Sequence, residues 1–302
     1  MKIENKAKML MIFASVAFSS VANVAPQHKV SKKVLLIGVD GIQYEKMLEV
    51  PTPNLDSLNI IKAYTGGKLN TATQQATFSG PSWSTILTGV WANKHKVTDN
   101  NTPTADHNYP SVFKVLFQNG KSSSALIAWP EPLRNYFTYD QPLLDYTYYP
   151  DYDRKDLNQY KITDQKISYM FENLKLKYNS DFVFVHFDQA DDIAHELGFS
   201  NKYREAIENL DTYIGRLINT VKKSPNEDWL VLVVTDHGRS LESGGKTHGG
   251  QTSNERTVWI ASNKKLYTTN GEASLADITP TIYDYLNIKD KPILDGSSLL
   301  SK

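Results

Sequence analysis

The residues best able to do chemistry in this chain are carboxylates and histidines placed just after short apolar runs. Asp40 follows Val34–Val39, Asp191 and His195 follow Phe182–Phe187, Asp236 and His237 follow Trp229–Thr235, and His248 stands in Thr247-His248-Gly249-Gly250. A lone acid at such a place is ordinarily a helix cap or turn residue. The recurrence is what points to a site. Asp191 and His195 are four apart, which puts two side chains on one face of a helical turn. Asp236 and His237 are adjacent and precede Gly238, so they can diverge around a metal while the glycine permits a tight turn. Carboxylates and imidazoles without thiolates suit zinc, with manganese or iron less well matched and calcium poorly matched to histidine. Two such cations about 4 Å apart can hold the attacking and leaving oxygens of an in-line displacement at phosphorus. The donor supply fits that demand, and two Zn2+ ions are expected.

A nucleophile is offered by the hydroxyls of Thr77-Phe78-Ser79-Gly80-Pro81-Ser82-Trp83-Ser84-Thr85-Ile86-Leu87-Thr88-Gly89, which lead into a predicted helix. Periodicity does not choose among them. Ser79 has the best physical case, because a hydroxyl just before a helix meets the positive end of its dipole, where an alkoxide is stabilised. The competing role for Ser79 is that of a plain N-cap.

These residues need a scaffold. The runs Val34–Val39, Ser124–Trp129, Phe182–Phe187, Trp229–Thr235 and Val258–Ala261 are short, apolar and rich in β-branched residues, as strands buried on both faces of a parallel sheet must be. Between them lie helical patterns: Ile167, Met170, Phe171 and Leu174 share one face, as do Ile207, Leu210, Ile214, Leu217 and Val221. Strands alternating with amphipathic helices predict an α/β fold, a doubly wound and mostly parallel sheet with helices on both faces and no large cap domain. Such sheets bind ligands at the carboxyl ends of their strands.

The chain has 302 residues and no cysteine, which excludes disulfide scaffolds, thiolate zinc sites, thiol nucleophiles and a lipidated N-terminal cysteine. Lys plus Arg equals Asp plus Glu at 33 each, so no net field favours a stable nucleic acid complex or an acidic membrane. Lys2, Lys6 and Lys8 precede the apolar run Met9–Phe18 and the small residues Ser20-Val21-Ala22, a pattern that predicts an export signal over 1–22 and a periplasmic or secreted protein. That run is short of the ~20 residues that span a bilayer, so no membrane span is expected after its removal. The expected organisation is signal peptide 1–22, linker 23–32 and one catalytic domain over 33–302. Tyr136–Tyr152 is unusually aromatic and is expected as an irregular loop. Its rings either pack onto the body or form a stacking wall for a base.

Taken together, these segments resemble the alkaline phosphatase superfamily, and within it the type I phosphodiesterase/nucleotide pyrophosphatase family, from Asp40 to the C-terminus. Val39-Asp40-Gly41 resembles the opening metal aspartate and Thr52-Pro53-Asn54-Leu55-Asp56 the motif that follows it. The family nucleophile lies ten residues before the glycine of a Leu-Thr-Gly element; counting back from Gly89 gives Ser79, where a serine stands in place of the more usual threonine. Asn100, twenty-one residues further on, matches an asparagine that holds a non-bridging phosphate oxygen. Asp191 and His195 resemble an Asp-x-x-Gly-His pair with Ala194 in place of glycine. Asp277-Ile278-Thr279-Pro280-Thr281 and Leu294-Asp295-Gly296-Ser297-Ser298-Leu299 resemble C-terminal structural elements.

The resemblance implies that Asp191, His195 and His248 hold one zinc, and Asp40, Asp236, His237 and Ser79 the other. It also implies that Asn100 and the main-chain amide after Ser79 hold charge on the phosphate. The implied function is hydrolysis of a phosphodiester or nucleotide pyrophosphate, a small-molecule substrate, through a phosphoseryl-type intermediate. The alternatives are a phosphomonoesterase, with Arg134 as a candidate clamp, and a phosphonate hydrolase on the same site. A sulfatase is disfavoured because Trp83 stands where its motif needs arginine. A secreted binding protein is disfavoured because every ligand position is filled. Leaving group and oligomeric state are not legible.

Overall fold

The computed structural model describes residues 30–150, 156–268 and 271–300. The expected signal peptide and residues 23–29 of the expected linker lie outside these. Eight strands form one sheet: β1 (Ser31–Val39), β2 (Asn59–Tyr64), β3 (Ser123–Ile127), β4 (Tyr146–Tyr148), β5 (Phe182–Phe187), β6 (Glu227–Val234), β7 (Thr257–Ser262) and β8 (Ala273–Ser274), in the order β4-β3-β5-β1-β6-β7-β2-β8. Only β7 runs antiparallel to its neighbours, β6 and β2. The helices are α1 (Tyr44–Met47), α2 (Ser79–Thr88), α3 (Ala92–His95), α4 (Val112–Gln118), α5 (Leu157–Tyr178), α6 (Gln189–Leu197), α7 (Asn201–Lys222), α8 (Ser253–Arg256) and α9 (Ile278–Tyr285).

The sheet is doubly wound, as the alternation of patterns predicts. Period 2 divides β1 between two cores. Val34 and Leu36 pack on one face with Trp83 and Leu87 of α2, Phe113 of α4 and Ile282 of α9. Leu35, Ile37 and Val39 pack on the other with Ile167 and Phe171 of α5 and with Ile207, Leu210, Ile214, Leu217 and Val221 of α7. Both predicted helical faces are therefore core faces, each large side chain contributing about 1.5–3 kcal/mol through burial. The strand β2 was not expected. Its Asn59-Ile60-Ile61-Lys62-Ala63-Tyr64 sequence mixes polar and apolar residues because it lies near the sheet edge, half-exposed, where a continuous apolar run is not required. The expected irregular loop over 136–152 is also more ordered than expected, since it contributes the edge strand β4.

Two motifs prove to be braces. Asp211 of α7, buried, accepts hydrogen bonds from the backbone N–H groups of Asn54 (3.1 Å) and Leu55 (2.8 Å) and from Asn54 Nδ2 (2.8 Å). One turn further along α7, Gly215 makes room for Asn54, whose amide would collide with any Cβ there. At the C-terminus, Thr279 Oγ1 donates to the Ile86 carbonyl (2.6 Å) and the Asp295 N–H to the Gly89 carbonyl (2.9 Å), holding the far end of the helix that begins at Ser79.

Replacing Asp211 by alanine strands one buried N–H group, one half-buried N–H group and one side-chain amide. The expected loss is about 3 kcal/mol of unfolding free energy, with a smaller loss for Asp211→Asn. Urea denaturation with an unchanged midpoint in Asp211→Ala would contradict this account of the motif.

Candidate active site

The carboxyl ends of β5, β1 and β6, adjacent in the sheet, carry the predicted donors to one place. Asp40 leaves β1, Asp236 and His237 follow β6, and Asp191 and His195 project from α6, which follows β5. No side chain of α6 caps its own N-terminus. Asp164 of α5 does so instead, accepting from the Asp188 (3.1 Å) and Gln189 (2.9 Å) N–H groups.

Around His237 Nε2 lie Asp40 Oδ1 at 3.2 Å, Ser79 Oγ at 3.2 Å, Asp236 Oδ2 at 3.4 Å and Asp191 Oδ1 at 3.8 Å. Its Nδ1 faces the Gly238 carbonyl at 3.0 Å, which fixes the tautomer and leaves Nε2 with its lone pair toward the acids. His248 is held in the same way by the Thr77 carbonyl at 3.0 Å, and its Nε2 lies 3.1 Å from that of His195. The His237 and His248 rings stack, with centroids 3.6 Å apart. His195 in turn lies 3.1 Å from Asp191 Oδ2.

The electrostatics are those of a centre made for positive charge. Burial, together with the charges of Asp40 and Asp191, raises the Asp236 carboxyl well above its usual range, and its Oδ2 has no hydrogen-bond partner among the described residues. Asp40 is also pushed upward by burial and by Asp191, but opposing effects led by the hydrogen bond with His186 outweigh these and hold it low. Burial likewise opposes ionisation of Asp191, and Arg239, His195 and His248 overcome it. Burial and the neighbouring His237 lower His248 to about 3, so it is a neutral ligand at ordinary pH. Asp191, His195 and His248 form one group whose donor atoms lie within 4.8 Å of one another, and Asp40, Asp191 and His237 form a second. An orphaned carboxylate oxygen among crowded acids, with imidazole lone pairs turned inward, fits metal ions. The second group contains Asp191 where the resemblance implies Asp236, which approaches through Oδ2 alone because its Oδ1 accepts from the Gly41 N–H at 3.2 Å.

Ser79 is not the N-cap of α2. Phe78 is, and Ser79 is the first helical residue, its Oγ 3.4 Å from Asp40 Oδ1. Asn100 stands beside it, but its Oδ1 already accepts from the Gly80 N–H at 2.7 Å. The expectation that this amide faces the phosphate is therefore corrected: the amide orients Asn100, whose Nδ2 is the donor left for a ligand. Ser79, Asn100, Asp191, His195 and His248 line one cavity of about 120 Å³, together with Trp129, Asp188 and Asp192.

Three residues have places at the site that the sequence did not assign them. His186, inside the apolar run Phe182–Phe187, lies with Nε2 3.2 Å from Asp40 Oδ2 and groups with Asp188 and Asp40 as a third donor set. The signal was a histidine inside an otherwise apolar buried strand. Trp83 donates its indole N–H to Asp40 Oδ2 at 2.8 Å, which gives the non-arginine at this position a structural reason. Arg239 is fully buried against Asp191. The described tyrosines of the aromatic segment do not line the cavity: Tyr146 stacks on Tyr178, Tyr148 lies under Lys166 and Tyr149 under Arg134. Tyr152 lies outside the described residues. Arg134 is exposed and away from the cavity lining.

Residues 34–249 match the family described as type I phosphodiesterase / nucleotide pyrophosphatase. The chain belongs to this family. Among curated proteins it is similar to the 2,3-bisphosphoglycerate-independent phosphoglycerate mutase of Clostridium botulinum (strain ATCC 19397 / Type A), 29% identical over 150 residues, which is 48% of this chain and 27% of the mutase. Mutase 2 of Methanosarcina acetivorans is 28% identical over 155 residues, 49% of this chain and 28% of that protein. The chain thus spans just over a quarter of the length of these relatives. Among solved structures, murine ectonucleotide pyrophosphatase / phosphodiesterase 5 superposes with a TM-score of 0.63 at 15% identity, covering 88% of this chain and 97% of that one. The phosphonate monoester hydrolase of Agrobacterium radiobacter does so with 0.61 at 16%, covering 88% and 76%. These likenesses show a common fold, that of the alkaline phosphatase superfamily.

In this family member the segment that delivers Asn100 is anchored by His95. Its Nδ1 accepts from the Val97 N–H (3.1 Å) and its Nε2 faces Thr85 Oγ1 of α2 (3.1 Å). Burial lowers its pKa to about 3, whereas an unfolded histidine titrates near ~6.5. Between these values the unfolded chain binds the extra proton, so stability is lost as pH falls from ~6.5 toward 3. Replacement by glutamine is expected to flatten the fall in unfolding free energy by up to about 1.4 kcal/mol per pH unit in that window. Parallel stability curves for the native and His95→Gln proteins would show that no such titration occurs.

Proposed function

We propose that this protein is a zinc-dependent hydrolase that cleaves a phosphodiester or nucleotide pyrophosphate through Ser79. The observation that carries the reading is the position of Ser79 Oγ, at a helix N-terminus and within 3.4 Å of both Asp40 and His237, with Asn100 in the same cavity. Family membership supports it. So does the murine relative, one structure of which is a complex with AMP.

In this reading Asp191, His195 and His248 hold one Zn2+ and Asp40, Asp236, His237 and Ser79 the other; when bound, the two ions lower the serine hydroxyl's pKa and stabilise charge on the leaving oxygen. Ser79 Oγ attacks phosphorus: the new P–O bond forms as the bond to the leaving oxygen breaks, giving a phosphoseryl diester that water hydrolyses to restore the serine. Asn100, fixed by the Gly80 N–H, donates from Nδ2 to a non-bridging oxygen as charge builds there. The buried wall of Trp83 and His186 keeps the Asp40 carboxylate aimed at the centre.

One observation favours a second reading, phosphomonoester hydrolysis. Asp40, His186 and Asp188 bring three donors within 4.8 Å, a set that could hold a further cation against a dianionic phosphate. The similarity to mutases is compatible with it.

After zinc repletion, an aryl phosphodiester is expected to be turned over with a higher kcat/KM than the matching monoester, and Ser79→Ala is expected to lower kcat by roughly 10³-fold or more. Preference for the monoester would favour the second reading, and near-native turnover by Ser79→Ala would refute the mechanism. Zinc should also raise the melting temperature of chelator-treated protein, adding about 2.7 kcal/mol at a free concentration 100 times Kd. A melting curve indifferent to zinc and chelator would argue against a metal centre.

A further inference from the structure

Arg239 is one of the largest fully buried side chains in the described structure, and none of its donors reaches solvent. Nη1 bonds Asp191 Oδ1, Nε bonds the Gly245 carbonyl and Nη2 bonds the Lys246 carbonyl at 3.3 Å. Its backbone N–H donates to Gln43 Oε1 at 2.6 Å. The fit depends on Gly41, whose φ of +62° suits glycine and where any Cβ would collide with both Asp191 Oδ1 and Arg239 Nη1.

Asp191 is the one residue common to the two donor groups at the reacting serine. Its Oδ2 faces His195 at 3.1 Å, and its Oδ1 faces His237 at 3.8 Å and His248 at 4.0 Å. A carboxylate so placed could bridge both groups, leaving neither with a defined geometry. The guanidinium takes Oδ1 and leaves Oδ2 to His195. The same fork grips the loop at 245 and 246, two residues before His248, and so sets how that imidazole meets His195. Lysine has neither the planar fork nor the number of donors to do both.

We infer that Arg239 is a positioning residue that divides the donors between two unequal metal positions: it confines Asp191 to the group with His195 and His248 through a single oxygen and fixes the loop that presents His248. The inference rests on the two-ion reading above. Removing a group that hydrogen-bonds to a ligand typically weakens metal binding by 10–100-fold, and here the loss falls on one ion of the two.

The test is zinc titration of the full chain against a chromophoric chelator, which needs no substrate. The native protein is expected to bind two ions in two steps. In Arg239→Lys, which keeps the buried charge, one step weakens by about 10–100-fold and the other stays within about two-fold. Adding His195→Ala, which disables the same group, should then cost Arg239→Lys little more. Should Arg239→Lys fold poorly, Arg239→Gln, which keeps two hydrogen-bond donors but leaves Asp191 intact as a ligand, is expected to weaken the same single step and leave the other within about two-fold. Two native-like steps in Arg239→Lys, or equal weakening of both, would overturn the inference while leaving the proposed function standing. A native chain that binds fewer than two ions would overturn both. Two ions bound without diesterase activity, and one step selectively weakened in the variant, would uphold the inference and sink the function.

Discussion

Three buried carboxylates, Asp40, Asp191 and Asp236, converge on a single imidazole nitrogen, and their mutual repulsion governs the rest of the structure. Ions of like charge cannot be gathered in a water-poor interior without compensation, because both desolvation and Coulomb repulsion oppose it. The chain supplies part of the answer. Asp40 is stabilised by the Trp83 indole and by His186 and Asp191 by Arg239, while burial and the charges of Asp40 and Asp191 push the Asp236 carboxyl up and leave it an oxygen to spare. The inward lone pairs of His237 and His248 beside these acids fit a metal ion at the centre.

Holding such a centre open requires rigid neighbours. Elements that carry or flank the candidate site have their other contacts fixed independently: α6 is capped by Asp164 from α5, α2 is gripped at its C-terminal end by Thr279 and Asp295, and the turn after α1 is docked by Asp211 on α7. These braces join segments more than a hundred residues apart in several cases, so the repulsive centre is held by the fold as a whole.

Much of the site was legible in the residues. Asp40, Asp191, His195, Asp236 and His237 stand out because parallel strands are apolar throughout, so polar residues soon after them fall at the carboxyl edge of the sheet, where ligands bind, while His248 stood out as a further imidazole close in sequence. Ser79 was singled out by its place at the start of a helix, where it is the first helical residue instead of the one before it, and by its spacing to Gly89. What was missed has local causes. His186 lies inside an apolar strand, Trp83 stands among hydroxyl residues and was weighed only against a sulfatase motif, Arg239 follows a motif that is complete without it, and β2 alternates too weakly to read as a strand. The tyrosines over 136–152 read equally well as packing or as a binding wall, because ring composition says nothing about which side of a segment faces the cavity.

The sequence by itself determined the strand and helix periodicities, the inventory of metal-compatible donors and the family, since these depend on residue type and short spacing. Tertiary structure alone decided that the Gly80 N–H belongs to Asn100, that Arg239 takes one oxygen of Asp191, and that Asp164 and Asp211 cap elements other than their own. The physical reason is that a hydrogen-bond donor has no preferred partner in sequence. Its partner is whichever acceptor the packed chain brings within reach once water is gone.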